Sequence, residues 1–245
     1  MEFDHSSAYD NDIFFSNYLK RRHRENSPNI TIELPIFLEL IGDVNAKKVL
    51  DLGCGDASLG KLLLDLGCSF YMGIDGSVNM IHHASNQLKN RDAKLTLTTM
   101  QEYEYPEDAY DIVVSQLAFQ YINDFDILCK KMYKTMKPSG QLIFSIQHPL
   151  LTSSFKSMTN TGRRENWIVD DYFRTGKRIE PWIGEKVVKY HRTIEDYYSI
   201  LQNTGFMIES LREAKPRPEF FNEQEEYERR LRIPLFLLFK CKKQG

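Results

Sequence analysis

Cysteine is sparse and dispersed in this chain. Cys54, Cys68, Cys129 and Cys241 form no C-x-x-C pair in 245 residues, which speaks against a disulfide framework and a thiolate metal site. No metal is expected, and the thiols suit a reducing, cytoplasmic compartment. Long apolar runs are also missing. The longest, Ile233 to Phe239, contains Pro234 and falls far short of a bilayer span. The opening MEFDHSSAYDND has neither the cationic nor the apolar region of a secretory signal. Nor is there a charge surplus: 32 Lys and Arg oppose 34 Asp and Glu, whereas nucleic-acid binders advertise a basic excess. The absence of a G-x-S-x-G elbow removes the usual sign of a serine hydrolase. There is no repeat, low-complexity tract or Gly/Ser linker. One domain with a small-molecule partner, and neither nucleic acid nor membrane, is the expectation; monomer and homodimer are equally compatible with it.

What is present is enough apolar matter for a core, 42% of residues, and a change of texture at Lys48. Residues 1–46 read as an N-terminal helical cap: Ile13, Phe14 and Tyr18 share a helical pattern, followed by the basic cluster Lys20, Arg21, Arg22 and Arg24. A second helix is expected over Ile32–Ile41, with Pro35 in its first turn. Residues 47–147 alternate short apolar runs with amphipathic stretches, the pattern of βα units on a parallel sheet. Strands are expected at Lys48–Leu52, Phe70–Ile74, Lys94–Thr98, Tyr110–Ser115 and Gln141–Ile146, the last after a Pro138-Ser139-Gly140 turn. Residues 148–192 break the alternation as an irregular, aromatic insert. Residues 193–245 close the chain with a helix and strands at Phe206–Leu211 and Leu235–Cys241.

The most informative stretch is VLDLGCGDASLG, Val49 to Gly60. A strand ending in Asp51 runs through Gly53-Cys54-Gly55 into a helix, so the backbone can approach a ligand closely at a helix N-terminus. Ser58 stands where a dinucleotide fingerprint has its third glycine, which disfavours NAD(P) and an oxidoreductase. Asp51 suits an ammonium group better than a pyrophosphate. Asp75 follows Asp51 by 24 residues at the end of the next strand, the position from which a carboxylate accepts vicinal ribose hydroxyls. Each acid alone would be an ordinary cap or turn residue. The combination in one βαβ frame indicates a nucleoside ligand.

VLDLGCG, GIDGS, YDIVVSQLAFQYI and MKPSGQLIFSI, in that order, resemble the motifs of class I S-adenosylmethionine-dependent methyltransferases over about Lys47 to Ile146. The resemblance implies an α/β, Rossmann-like, seven-stranded, mostly parallel sheet whose last strand is antiparallel, with S-adenosylmethionine as cofactor. It implies that Asp51, Gly53, Cys54 and Gly55 surround the methionine part. Asp75 would hold the ribose, flanked by Gly76, Ser77 and Met80. The acid that many relatives use for adenine is replaced in Thr99-Met100-Gln101-Glu102, so Met100 and Gln101 are the adenine candidates. Ser115, Gln116 and Leu117 would lie beside the transferable methyl.

The flanks resemble a narrower bacterial subset through Tyr18, Arg24, Asn29, Glu33, Pro35, His148-Pro149 and His191-Arg192-Thr193. Tyr18 and Arg24 would then join the cofactor site, Arg24 pairing with the methionine carboxylate, while Lys20, Arg21 and Arg22 stay solvated. The insert would form a substrate lid, with Trp167, Tyr172, Trp182 and Arg192 touching the acceptor. His148, His191 and Tyr121 are the candidate bases. The Asn/Asp-Pro-Pro-aromatic motif of nucleic-acid amino methyltransferases is replaced by Ser115-Gln116-Leu117-Ala118. The expected activity is methyl transfer to a small molecule. The alternative is a protein that binds the cofactor without turning it over.

Overall fold

Parallel strands require crossovers of a dozen or more residues, and the segments after Lys48 supply them as helices. The computed structural model describes residues 2–3, 7–156 and 166–244. In chain order its first elements are β1 (Glu2–Phe3), α1 (Asp12–Arg22), α2 (Leu34–Ile41), β2 (Lys48–Leu52) and α3 (Ser58–Asp65). There follow β3 (Phe70–Asp75), α4 (Val78–Gln87), β4 (Ala93–Leu97), β5 (Tyr110–Gln116), α5 (Phe125–Thr135), β6 (Met136–Gln147) and the short α6 (Pro149–Thr152). The chain closes with β7 (Gly176–Trp182), β8 (Glu185–His191), α7 (Ile194–Thr204), β9 (Phe206–Arg212), α8 (Gln224–Arg230) and β10 (Phe236–Lys243).

Seven strands form one sheet in the order β4-β3-β2-β5-β6-β10-β9. All neighbours are parallel except at β10, which runs antiparallel to both β6 and β9. The fold is thus Rossmann-like, with the last strand inserted next to the edge. One face is covered by α5 and α7, whose Leu128, Cys129, Met132, Tyr197 and Leu201 pack on Phe144 and Phe239. The other is covered by α2, α3 and α4 through Ile36, Phe37, Leu59, Leu63 and Ala84. All four cysteines are free and buried. Gly60 of α3 lies so close to β3 that a Cβ there would stand 2.3 Å from the Tyr71 ring.

Several boundaries differ from expectation for local reasons. Ser77 caps α4, accepting from the Met80 N–H at 3.2 Å. The expected second helix starts as a π-type turn, Asn29–Glu33, before α2, and such turns are frequent at functional sites. Strand β6 begins at Met136, and Pro138-Ser139-Gly140 is an irregularity in its pairing with β5 rather than a turn before it. The insert is not irregular throughout. Its second half is an antiparallel hairpin, β7 and β8, extended by a parallel pairing of β1 on β8. The hairpin packs on the N-terminal cap through Val187, Trp182 and Ile183 against Ala8, Phe14, Tyr9 and Tyr18.

Candidate active site

A cleft opens at the carboxyl ends of β2, β3 and β5, where ligands of open α/β sheets bind. Its floor is the glycine loop. Gly53 has φ +74°, and a Cβ there would lie 2.7 Å from both Ala118 Cβ and Met100 Cε, so the close approach depends on glycine. Asp75 sits in the wall with both oxygens held by backbone donors: Gly55 N–H at 3.0 Å and Ser77 N–H at 2.9 Å. Burial raises its pKa to about 6. Asp51 lies deeper, accepts from the Tyr71 hydroxyl at 2.7 Å, and is raised by burial to about 7.

The roof is the N-terminal segment. Tyr9 and Tyr18 stack edge to face at 4.9 Å over the cleft. Three sets of contacts hold them. Ser77 Oγ donates to Asp10 at 2.7 Å, and Asn79 Nδ2 donates to the Tyr9 carbonyl at 3.2 Å. His23 Nε2 lies 2.6 Å from Asp56 of the glycine loop. Arg22 donates to Gln116 Oε1 at 3.2 Å and lies 3.6 Å from Glu33. Burial lifts the Tyr9 phenol well above 10 and Tyr18 to about 12, so both are hydrogen-bond donors at neutral pH rather than bases.

Of the expected site residues, Tyr18, Gly53, Gly55, Asp75, Gly76, Met80, Met100, Gln101, Gln116, Leu117 and Tyr121 line this cleft. Leu117 has φ +53°, a strained conformation of the kind found at ligand sites, and its N–H is held by Ser145. Tyr9, Ile74, Thr98, Thr99, Ala118 and Ile122 join them unforeseen. Asp51, Cys54, Ser77 and Ser115 do not line it. The Cys54 thiol turns into the core, where burial raises its pKa, and Ser115 Oγ donates to the Leu52 carbonyl at 2.7 Å. Arg24 is exposed beyond the end of α1; its neighbour Arg22 is the cation that reaches inward.

The two histidines stand elsewhere. His148 caps α6, its Nδ1 accepting from Leu150 N–H at 3.2 Å while Nε2 lies 3.1 Å from Glu213. His191 is fully buried between Thr152 Oγ1 at 2.7 Å and the Tyr172 carbonyl at 2.9 Å. The carbonyl only accepts, so Nε2 carries the proton and Nδ1 accepts from Thr152. Burial lowers the pKa of both rings. The insert braces rather than lines. Trp167 stacks with Arg232 at 5.1 Å, and the Tyr172 hydroxyl accepts from Ile194 N–H at 3.2 Å. Arg178 donates to the carbonyls of Ser153, Lys177 and Arg174. Arg192 holds the carbonyls of Ile122 and Asn123, the turn that presents Tyr121. No group of three or more His, Cys, Asp or Glu side chains is placed to hold a metal among the described residues. No helix among them is long and apolar enough to cross a membrane.

A family model described as a methyltransferase domain matches residues 50–144. A crystal structure from Listeria monocytogenes, assigned as an S-adenosylmethionine-dependent methyltransferase, is 35% identical and superposes with a TM-score of 0.79. The match covers 87% of this chain and 97% of that one. An uncharacterized protein of Haemophilus influenzae is 30% identical over 97% of both chains. The malonyl-[acyl-carrier protein] O-methyltransferase of Acetivibrio thermocellus is 30% identical over 132 residues, which span 54% of this chain but only 46% of that protein. The chain belongs to the S-adenosylmethionine-dependent methyltransferases, and S-adenosylmethionine is its cofactor.

Proposed function

We propose that this protein transfers the methyl group of S-adenosylmethionine to a small-molecule acceptor. The observation that carries the reading is the roof: the chain's own Tyr9 and Tyr18 cover the cleft, and their segment is tied to the start of α4 and to the glycine loop. Such a cover admits a compact acceptor and excludes water from the reacting atoms. The cofactor supplies a sulfonium methyl, electrophilic enough to need positioning more than activation.

In this reading Asp75 accepts the ribose hydroxyls, its remaining lone pairs being aimed by Gly55 and Ser77. Met80, Met100, Thr99 and Gln101 surround the adenine. Gly53, Gly55, Gln116 and Leu117 flank the methionine part, and Arg22 takes the carboxylate role expected of Arg24. Tyr121 is the catalytic candidate in the cleft. It is hydrogen-bonded to Tyr9 and placed to orient the acceptor nucleophile. O-methylation is the chemistry printed in the name of the Acetivibrio relative; were the methylated oxygen that of a carboxylate, no strong base would be needed, which fits a cleft whose lining contains no histidine.

Calorimetric titration with S-adenosylmethionine, S-adenosylhomocysteine, NAD and NADP tests the cofactor half, and release of S-adenosylhomocysteine with added acceptors tests the transfer. Binding of the first two alone, with acceptor-dependent release, is expected. Cofactor binding with no release for any small acceptor would overturn the catalytic reading.

A further inference from the structure

Leu117 stands on the cleft wall in the left-handed region, at φ +53°, a conformation that persists only where the surroundings over-determine it. Its neighbours do so. The Leu117 N–H donates to both the carbonyl and the hydroxyl of Ser145, at 3.0 and 3.1 Å, and its carbonyl accepts from the Gln120 amide. The Ser145 hydroxyl has one proton, which goes to Glu33, so its lone pairs are left for Leu117. Glu33 ends the π-type turn before α2, is fully buried, and is not among the residues that line the cleft. Its other oxygen lies 3.6 Å from Arg22 of α1, and Arg22 donates to Gln116, the residue before Leu117. Arg22, Glu33, Ser145, Leu117 and Gln116 thus close a ring, and two of its members, Gln116 and Leu117, line the cleft.

A buried ion pair stabilises a fold no better than apolar side chains of the same volume, so packing does not account for a carboxylate here. Burial pushes the Glu33 pKa up, against the pull of Arg22, Ser145 and Asn29. What the carboxylate adds is direction. It accepts only, so it draws the Ser145 proton away from Leu117 and the Arg22 guanidinium toward itself at once. We infer that Glu33 is a positioning residue that couples the docked roof to the methionine side of the cleft. Arg22 holds Glu33, Glu33 holds the Ser145 hydroxyl, and Ser145 holds Leu117 in its left-handed conformation. The inference rests on the methyltransferase reading above, in which Leu117 flanks the methionine part of the cofactor, and it adds the link between roof and wall. Glutamine at this position would break that link. It has a donor where Glu33 has a second acceptor, so either Arg22 meets an N–H or the Ser145 hydroxyl must turn its proton toward Leu117.

The test cuts the ring at one bond and reads it at another. Amide hydrogen exchange of the S-adenosylhomocysteine-loaded protein is followed by mass spectrometry over three segments: residues 7–24 of the roof, residues 116–123 of the wall, and residues 194–204 of α7 on the opposite face of the sheet as control. S145A removes the hydroxyl but keeps the carbonyl for Leu117. It should speed exchange about threefold or more in the roof as well as the wall, although the hydroxyl bonds only Glu33 and Leu117, and leave the control unchanged. E33Q should do the same, and S145A on the E33Q background should add less than about 1.5-fold at the roof, because one ring is broken only once. Should E33Q not fold, R22M replaces it as the background on which S145A adds nothing at the roof. An S145A effect confined to the wall, one equal in all three segments, or effects of S145A and its background that multiply would overturn the inference. Failure of S-adenosylhomocysteine to bind the parent protein would instead overturn the methyltransferase reading, and exchange without ligand would still decide the coupling.

Discussion

His23 Nε2 lies 2.6 Å from Asp56 Oδ2, joining the end of α1 to the glycine loop on the floor of the cleft. The contact ties roof to floor directly. His23→Ala should loosen the roof without altering the floor. Because His23 is half-exposed, the pair is worth on the order of 1 kcal/mol. S-adenosylhomocysteine affinity should fall roughly three- to tenfold, with faster proteolysis in residues 7–24 of the ligand-bound protein. Unchanged affinity and proteolysis would mean that Tyr9 and Tyr18 are held by the α4 and Arg22 contacts without the His23–Asp56 pair.

Asp75 gives the sharper test of the floor. Asp75→Ala removes the acceptor that Gly55 and Ser77 orient and should weaken cofactor binding by about 2–3 kcal/mol, as for a lost hydrogen bond to a charged group. Calorimetry at constant pH reads it. A loss no larger than that of His23→Ala would place the ribose elsewhere.

Asp51 is raised to about 7 by burial, above its unfolded value, so the folded chain binds a proton more tightly than the unfolded chain. Stability linked to this group is therefore present at low pH and lost as pH rises through about 7. Asp51→Asn, which keeps an acceptor for Tyr71, should gain on the parent as pH rises, its advantage growing by roughly 2 kcal/mol between pH ~5.5 and pH ~8 in the absence of cofactor. Denaturant unfolding at the two pH values measures it, and a pH-independent difference would refute the assignment.

His191 is lowered rather than raised. Its linked stability is present above the ordinary histidine pKa and lost as pH falls below it. His191→Ala strands the Tyr172 carbonyl and leaves the Thr152 hydroxyl only its 3.3 Å contact with the Pro149 carbonyl, at roughly 2–3 kcal/mol in all. The melting temperature should drop by at least about 4 °C while cofactor affinity of the folded fraction is kept. A drop in turnover at unchanged stability would restore the ring to the chemistry.

The frame of the site was legible because it is local. Strand, Gly53, Gly55 and Asp75 fall at spacings that one βαβ unit dictates, and all three residues line the cleft. The misplacements arise where long-range docking decides. Tyr9 sits in a polar segment with no periodicity of its own and reaches the cleft only because Asp10 finds Ser77 and Asn79. Arg22 was legible in principle: it stands one helical turn after Tyr18 and shares its face, whereas Arg24 follows the end of the helix. His148 likewise precedes Pro149 as a cap residue precedes a first-turn proline. The hairpin went unread because Pro181 and charged residues interrupt its alternation.

The contact between Gly60 and Tyr71 has a consequence for how such sequences diverge. Any side chain at position 60 would push the Tyr71 ring aside and take its hydroxyl away from Asp51, stranding a buried acid. Positions 51, 60 and 71 therefore form one unit of inheritance. Across descendants of this chain a bulkier residue at 60 should arrive only with a smaller one at 71 and a new partner, or a new identity, at 51.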